Sequence, residues 1–378
     1  MRKAVAILVL GCLSTFVVPA GATAQSRPKA AGWEVEFHGG GGFDRNAADG
    51  RGALPPAGEP FTTTVGFPSR RASTWQFGDG ALLLNQINAS FVSAVGSPAT
   101  GRITPLDPVL QSAAATRGGG GSFGFRVARA ITPRFGAEFT LDAARGRARF
   151  TDEALAGIEA TRASFIGAWN ERTGLIATGG GIVFINPSVT SIATIDDDQG
   201  RQLFTTGALT INLATRGRIV PYAAVGAGVV TNMGNLPSAT LAGHYQFNSL
   251  GAFVGYFPVS ETDTVAIRLV ESHRHPLAVV LGGGVKIHGS SRWGLRADVR
   301  AYVSKNTLDV LVDATPRVAS LQPLGVIAST LAPSIQFTNL NAGASSTLSG
   351  PEIAGFKTFT SSGTAVHVTV SAGYFVRF

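Results

Sequence analysis

The end of the chain splits into two faces when it is read at every second residue. Between Ala365 and Phe378 the even positions are Val366, Val368, Val370, Ala372, Tyr374, Val376 and Phe378, and the odd ones are His367, Thr369, Ser371, Gly373, Phe375 and Arg377. Successive side chains of a strand point to opposite sides of a sheet. One face of this segment is therefore apolar with aromatics toward its end, and the other is mostly polar. Composition argues that the apolar face does not cover an ordinary soluble core. Charged residues are 14% of the 378, Gly numbers 48, and mean hydropathy is +0.21. Yet no stretch after residue 25 is a continuous apolar run long enough for a membrane helix. An apolar-leaning chain without such helices fits strands whose every second residue faces lipid.

The start of the chain predicts export. Met1-Arg2-Lys3 is basic, residues 4–18 are apolar, and Ala22-Thr23-Ala24 precedes Gln25. This is the layout of a secretory signal peptide over residues 1–24, too short for a comfortable membrane span. Cys12, the sole cysteine, lies inside it, so the mature chain is expected to have no disulfide, thiol nucleophile or cysteine metal site. The net charge is +8 and the isoelectric point about 10.1. A basic balance can signal nucleic acid. For an exported chain the acidic neighbours are outer-membrane lipid and lipopolysaccharide, and no nucleic acid partner is expected.

Other segments repeat the alternation. Gly32–Phe43 sets Trp33, Val35 and Phe37 against Glu34, Glu36 and His38. Phe123, Phe125 and Val127 alternate with Ser122, Gly124, Arg126 and Ala128, and a turn at Thr132-Pro133-Arg134 leads into Phe135, Ala137, Phe139 and Leu141, set against Gly136, Glu138, Thr140 and Asp142. A second hairpin joins Gln202–Ala214 to Ile219–Val230. A third turns near His288–Arg292 and leads into Trp293, Leu295, Ala297, Val299, Ala301 and Val303, opposite Arg296, Asp298, Arg300 and Tyr302. With the last segment these make eight strands. Their connections alternate between short (132–134, 215–218, 288–292) and long (about 44–119, 145–201, 231–277, 304–363). Outer-membrane barrels have this asymmetry, with short periplasmic turns and long extracellular loops.

Val370, Ala372, Tyr374, Val376 and Phe378 resemble the closing strand of outer-membrane barrels, whose terminal aromatic the barrel-assembly machinery recognises. The strands and hairpins resemble the small OmpA-like barrel families over roughly 100 residues. The resemblance implies an all-β, transmembrane, antiparallel up-and-down β-barrel in the bacterial outer membrane. It would span residues 25–378 as a monomer, with Tyr374, Val376 and Phe378 as its assembly signal.

Leu175–Ile185, Leu241–Phe257, Thr264–Val270 and Ser334–Thr338 are also strand-like. As hairpin extensions beyond the membrane they leave eight spanning strands, the preferred expectation; as spanning strands they give ten or twelve. Two loop segments have helical spacing: Leu83, Ile87 and Phe91 within Asp79–Val95, and Leu155, Ile158, Phe165 and Trp169 within Thr151–Trp169, where Thr151 is placed as a cap. Short helices packed on each other or on the barrel rim are expected there.

The polar strand faces put Glu34, Glu36, His38, Arg126, Glu138, Asp142, Lys286, His288, Arg296, Asp298, Arg300, His367 and Arg377 in the barrel interior. An eight-stranded barrel is filled by side chains, and buried charges must pair. A structural ion-pair network is expected, with Glu34 and Glu36 meeting Arg377 or His367 across the barrel seam. In a wider barrel the same residues would line an anion-biased pore. Glu271-Ser272-His273-Arg274-His275 holds the residue types of a hydrolytic triad, which a lipid-modifying outer-membrane enzyme, the least favoured reading, would need. Neighbours on a strand point to opposite faces, however, so Ser272 and His273 do not readily meet. Asp196-Asp197-Asp198 lacks the spacing of a calcium loop, and the runs Gly39–Gly42 and Gly118–Gly121 open no helix, as a phosphate loop would; they are expected to let strands bend or twist at the rim. No catalytic residue, metal or cofactor is assigned. The expected role is non-catalytic, in envelope integrity or surface interaction through the loops, with any extracellular ligand left open.

Overall fold

The computed structural model describes residues 32–45, 69–72, 74–77, 101–146, 148–174, 182–197, 200–251, 255–314, 317–320, 334–339, 344–349 and 353–378, with Ala81, Leu84, Asn85 and Asn88. The expected signal peptide and Leu83, Ile87 and Phe91 lie outside these residues. In chain order the elements are β1 (Trp33–Arg45), β2 (Ser69–Ala72), α1 (Asp107–Leu110), β3 (Ala115–Arg117), β4 (Gly120–Ala130), β5 (Phe135–Arg145), β6 (Ala148–Phe150), α2 (Asp152–Gly174), β7 (Ile182–Asp196), β8 (Arg201–Asn212) and β9 (Ile219–Met233). They continue with β10 (Ser238–Gly251), β11 (Gly255–Glu271), β12 (Leu277–His288), β13 (Trp293–Ala314), β14 (Arg317–Ser320), β15 (Ser334–Asn339), β16 (Ala344–Ser349) and β17 (Ile353–Arg377).

One antiparallel sheet of 11 strands dominates, in the order β12-β9-β8-β5-β4-β1-β17-β13-β11-β10-β7. β12 also pairs with β13, from Ala278↔Ser304 to His288↔Gly294, so part of the sheet closes on itself as a ring. Within the ring, strands adjacent in the barrel are consecutive along the chain, and the first and last meet at the seam through Glu34↔Arg377. The turns between β4 and β5, β8 and β9, and β12 and β13 are short and lie at one end of the ring.

Alternation sorts the ring's side chains. Phe37, Phe123, Phe139, Leu209, Leu281, Leu295 and Val370 are exposed outside it, whereas Glu36, Arg126, Glu138, Arg296 and Arg300 are buried inside. No helix among the described residues is long and apolar enough to cross a membrane.

Above the ring the sheet continues as a branch. β13 leaves β12 at Ser304 and takes up β11 at Leu308↔Glu271. β11 pairs with β10, and β10 with β7. The connections 231–277 and 304–363 are thus not simple loops, as the sequence suggested: β10 and β11 occupy the first, and extensions of β13 and β17 enter the second. Leu241–Phe257 is divided between β10 and β11 rather than forming one strand. At the free edge, Pro187 lies opposite a register irregularity between Gln246 and Asn248 of β10, a placement that suits an edge strand.

α2 begins at the expected cap, with Thr151 Oγ1 accepting from Ala154 N at 3.1 Å. Its inner face enters two apolar clusters. Ala154 and Ile158 join Leu110, Phe150, Leu241, Val265, Ile267, Val310 and Val312. Phe165 and Trp169 join Trp75, Leu84, Tyr245 and Phe247. The Trp169 and Tyr245 rings stack 3.8 Å apart. Of the two glycine runs, Gly39–Gly42 sit inside β1, in unbroken ladders with β17 and β4, and Gly118–Gly121 lead into β4, whose ladder with β1 ends at Gly42↔Gly120.

Among the ring glycines held by close approach, Gly124 faces the lumen charges. A Cβ on Gly124 would lie 2.0 Å from Asp142 Oδ1 and 2.4 Å from His38 Nε2. We expect Gly124→Ala to separate that pair and cost about 1–3 kcal/mol of overpacking and lost pairing, measured as a lowered urea midpoint of the refolded chain. An unchanged midpoint would mean that the lumen is looser than this geometry.

Candidate functional site

The ring interior is the densest polar site among the described residues. β1 contributes Glu34, Glu36 and His38, one residue apart on the same face; β13 contributes Arg296, Asp298 and Arg300 in the same way. At the turn end Glu34 meets Lys286 Nζ at 3.0 Å, Arg377 Nε at 3.4 Å, and Arg296. One layer up, Glu36 takes Arg126 Nη1 at 3.0 Å and Arg296 Nη1 at 3.0 Å. Glu138 takes Arg300 Nη2 at 2.5 Å and Arg296 Nη1 at 3.3 Å. Asp298 is bound by Arg126 Nη2 at 2.9 Å and Arg300 Nε at 3.1 Å, and accepts hydroxyls from Tyr222 at 2.8 Å and Ser371 at 2.6 Å. Higher still, Asp142 meets His38 Nε2 at 2.6 Å and accepts the Tyr302 hydroxyl at 2.6 Å.

The seam pairs Arg377 with Glu34, but His367 meets neither glutamate. Its Nδ1 lies 2.7 Å from Asp44 Oδ1, its register partner across the seam. His288 lies at the rim, 3.3 Å from Arg377 Nη2. Tyr222, Tyr302, Ser371 and Asp44 belong to this network too; the sequence placed Tyr302 and Ser371 on polar strand faces but named neither as a partner of these charges. Asp44 shares the even parity of Glu34, Glu36 and His38, so the alternation already contained it. At its upper end the lumen narrows to a cavity of about 20 Å³, lined by Asp44, Arg117, Gln202, Glu271, Lys305 and His367 among others. That is room for about one water molecule.

The cluster around Ser272 takes separate partners. Glu271 pairs with Arg117, Ser272 Oγ donates to Asp309 Oδ2 at 2.5 Å, and His275 Nδ1 lies 3.2 Å from Thr231 Oγ1. No group of three His, Cys, Asp or Glu among the described residues can hold a metal ion.

In the branch above the ring, Asp309 also accepts from Thr360 Oγ1 at 2.7 Å and pairs with Lys357 Nζ at 2.9 Å. Burial works to raise its carboxyl, but the hydrogen bonds from Ser272, Thr360 and Lys357 outweigh it and hold the group below the usual range. Asp313 is lowered in the same way: burial is outweighed by bonds from Arg268 Nε at 2.6 Å and Gly355 N at 2.5 Å.

No family model matches the sequence, and no curated protein matches it. Among solved structures it is similar to the outer membrane protein OprG from Pseudomonas aeruginosa, at 9% identity over 93% of this chain and 99% of that one, with a TM-score of 0.34. The outer membrane protease OmpT from Escherichia coli follows at 7% identity over 94% and 99%, with a TM-score of 0.28. CarO2 from Acinetobacter baumannii has 12% identity over 70% and 97%, with a TM-score of 0.23. Likeness at this level assigns no role to the chain; its own strand pairings and lumen charges bear on that question.

Two outcomes are expected. Glu138→Gln leaves Arg296 and Arg300 short of a buried carboxylate and costs ~3–5 kcal/mol, read from urea unfolding, whereas Glu159→Gln on the exposed face of α2 leaves the midpoint unchanged. Because Asp309 and Asp313 are lowered in the folded state, their stabilisation is present above the ordinary carboxylate range and lost as pH falls through and below it. The urea midpoint should therefore fall between about pH 5 and pH 3, and fall less steeply in the D309N/D313N chain. Equal slopes would remove these two carboxylates as the cause.

Proposed function

We propose that the chain is a monomeric, non-catalytic outer-membrane protein of the small OmpA-like kind. Eight strands, β1, β4, β5, β8, β9, β12, β13 and β17, span the membrane, with the short turns in the periplasm. The branch above the ring is a folded extracellular platform that serves envelope integrity or surface interaction.

One observation carries the reading: the faces of β13 exchange chemistry along the strand. From Trp293 to Val303 its outward residues are Trp293, Leu295, Ala297, Val299, Ala301 and Val303, while Arg296, Asp298, Arg300 and Tyr302 face in. Beyond Ser304 the inward residues become Leu308, Val310, Val312 and Ala314, all in the apolar cluster, and the alternate positions include Lys305, Thr307, Asp309 and Asp313. A strand that is apolar outside and polar inside suits lipid. The reverse suits water. The exchange at Ser304 marks the outer edge of the bilayer.

The lumen supports a silent barrel over an anion-biased pore. Arg126, Lys286, Arg296 and Arg300 are matched by Glu34, Glu36, Glu138, Asp142 and Asp298, so cations do not outnumber carboxylates there. Tyr374 and Phe378 point outward, exposed at 47% and 78%, and suit recognition by the barrel-assembly machinery.

The test is single-channel conductance of the refolded mature chain in a planar bilayer. We expect heat-modifiable migration on a gel and no discrete current steps. Stable steps would overturn the filled lumen and make its charges a selectivity lining.

A further inference from the structure

The chain's basic excess is not spread evenly. The turn end of the ring comprises residues 32–33, 129–136, 211–219, 287–294 and 376–378, and these segments contain no Asp or Glu. They hold Arg129, Arg134, Arg216, Arg218 and Arg292, all exposed. Arg377, the remaining arginine there, is turned inward to Glu34. None of the five exposed arginines has a carboxylate partner among the described residues. At the opposite end the charges are mixed: Arg117 pairs with Glu271, Arg268 with Asp313, and Lys357 with Asp309.

The arginines also sit beside an apolar rim. Trp33, Phe135, Leu213, Ile219, Trp293 and Phe378 are exposed at this end. The Arg129 guanidinium lies 5.3 Å from the Trp33 ring centroid, and Trp293 stacks on Tyr374 at 5.9 Å. Amphipathic rings of this kind settle at the level of lipid headgroups. A guanidinium just beyond that level binds phosphate oxygens through two parallel N–H donors.

We infer that the turn end is a docking surface for anionic phospholipid headgroups, so that the barrel gathers net-negative lipid around its periplasmic rim. The inference rests on the membrane reading above, and the two can fail separately. A free anionic ligand would not need the aromatic rim; a headgroup layer needs both the rim and the arginines.

The four tryptophans make the test local. Trp75 and Trp169 are fully buried in the branch above the ring, whereas Trp33 and Trp293 are 51% and 42% exposed at the turn-end rim. The full mature chain is refolded into phosphatidylcholine vesicles containing either brominated phosphatidylglycerol or brominated phosphatidylcholine, and quenching of tryptophan emission is compared. We expect phosphatidylglycerol to be preferred ~3–5-fold at low salt, the preference to fade at 1 M salt, where screening is short-ranged, and to vanish in the R129Q/R134Q/R216Q/R218Q/R292Q chain. Should that variant fail to insert, the salt titration of the unaltered chain decides alone. Equal quenching by the two lipids in an inserted, heat-modifiable chain overturns this inference and leaves the barrel reading intact. A chain that inserts into neither vesicle overturns both.

Discussion

No charge inside a ring this narrow can be left alone. Removing an ion from water costs several kcal/mol even after relaxation, and the lumen has no bulk water to offset it. The cations and carboxylates of the ring therefore meet across it. Lys286 and Arg296 reach Glu34 over 252 and 262 residues of sequence, and Tyr302 reaches Asp142 over 160. The first two connect β1 to the β12–β13 hairpin and the third connects β5 to β13, so they specify closure as well as filling. They also specify register. A slip of one residue would turn a strand's charged face outward and its apolar face inward. Every layer of pairs opposes that slip.

The same constraint explains why the strands change character above the ring. Inside it, the inward face of β13 meets other strands at short range and must carry paired polar groups. Beyond Ser304 the sheet opens, and α1 and α2 lie on what was the lumen side. The inward face now covers a core and becomes Leu308, Val310 and Val312. Only the surroundings differ; the period of two continues without a break. Gly243 of β10 lets the helix approach, because a Cβ there would fall 2.4 Å from the Phe165 ring.

Alternation made the faces of the ring strands readable, because parity alone decides which side a residue takes. It did not make the partners readable. His367 was expected to meet Glu34 or Glu36, yet its register partner is Asp44, several rungs higher, and strand offset is not written in parity. The branch was harder still. Asp263 occupies a buried position of β11, where it interrupts the alternation and hides the start of the strand. Its carboxylate accepts from Thr74 Oγ1 at 2.5 Å and Trp75 N at 2.7 Å, nearly 190 residues away in sequence. A buried polar group whose partners are that remote cannot be told from a loop residue by local pattern. The same holds for Leu241–Phe257, where apolar content suggested one strand and the pairing makes two.

On the proposed reading, the filled ring leaves the branch as the part that can meet other molecules, and that reading depends on how the branch is held. β13 and β17 do not stop at the rim. They continue together for ten or so residues, a rise of about 30 Å at ~3.3 Å per residue. The partner exchange of β13 from β12 to β11 lets one strand belong to both the ring and the platform. Hydrogen-bonded strands transmit position in a way that coil does not. The branch is therefore tied to the ring through two continuous strands, and the lumen ion pairs that hold the ring also brace the base of the branch.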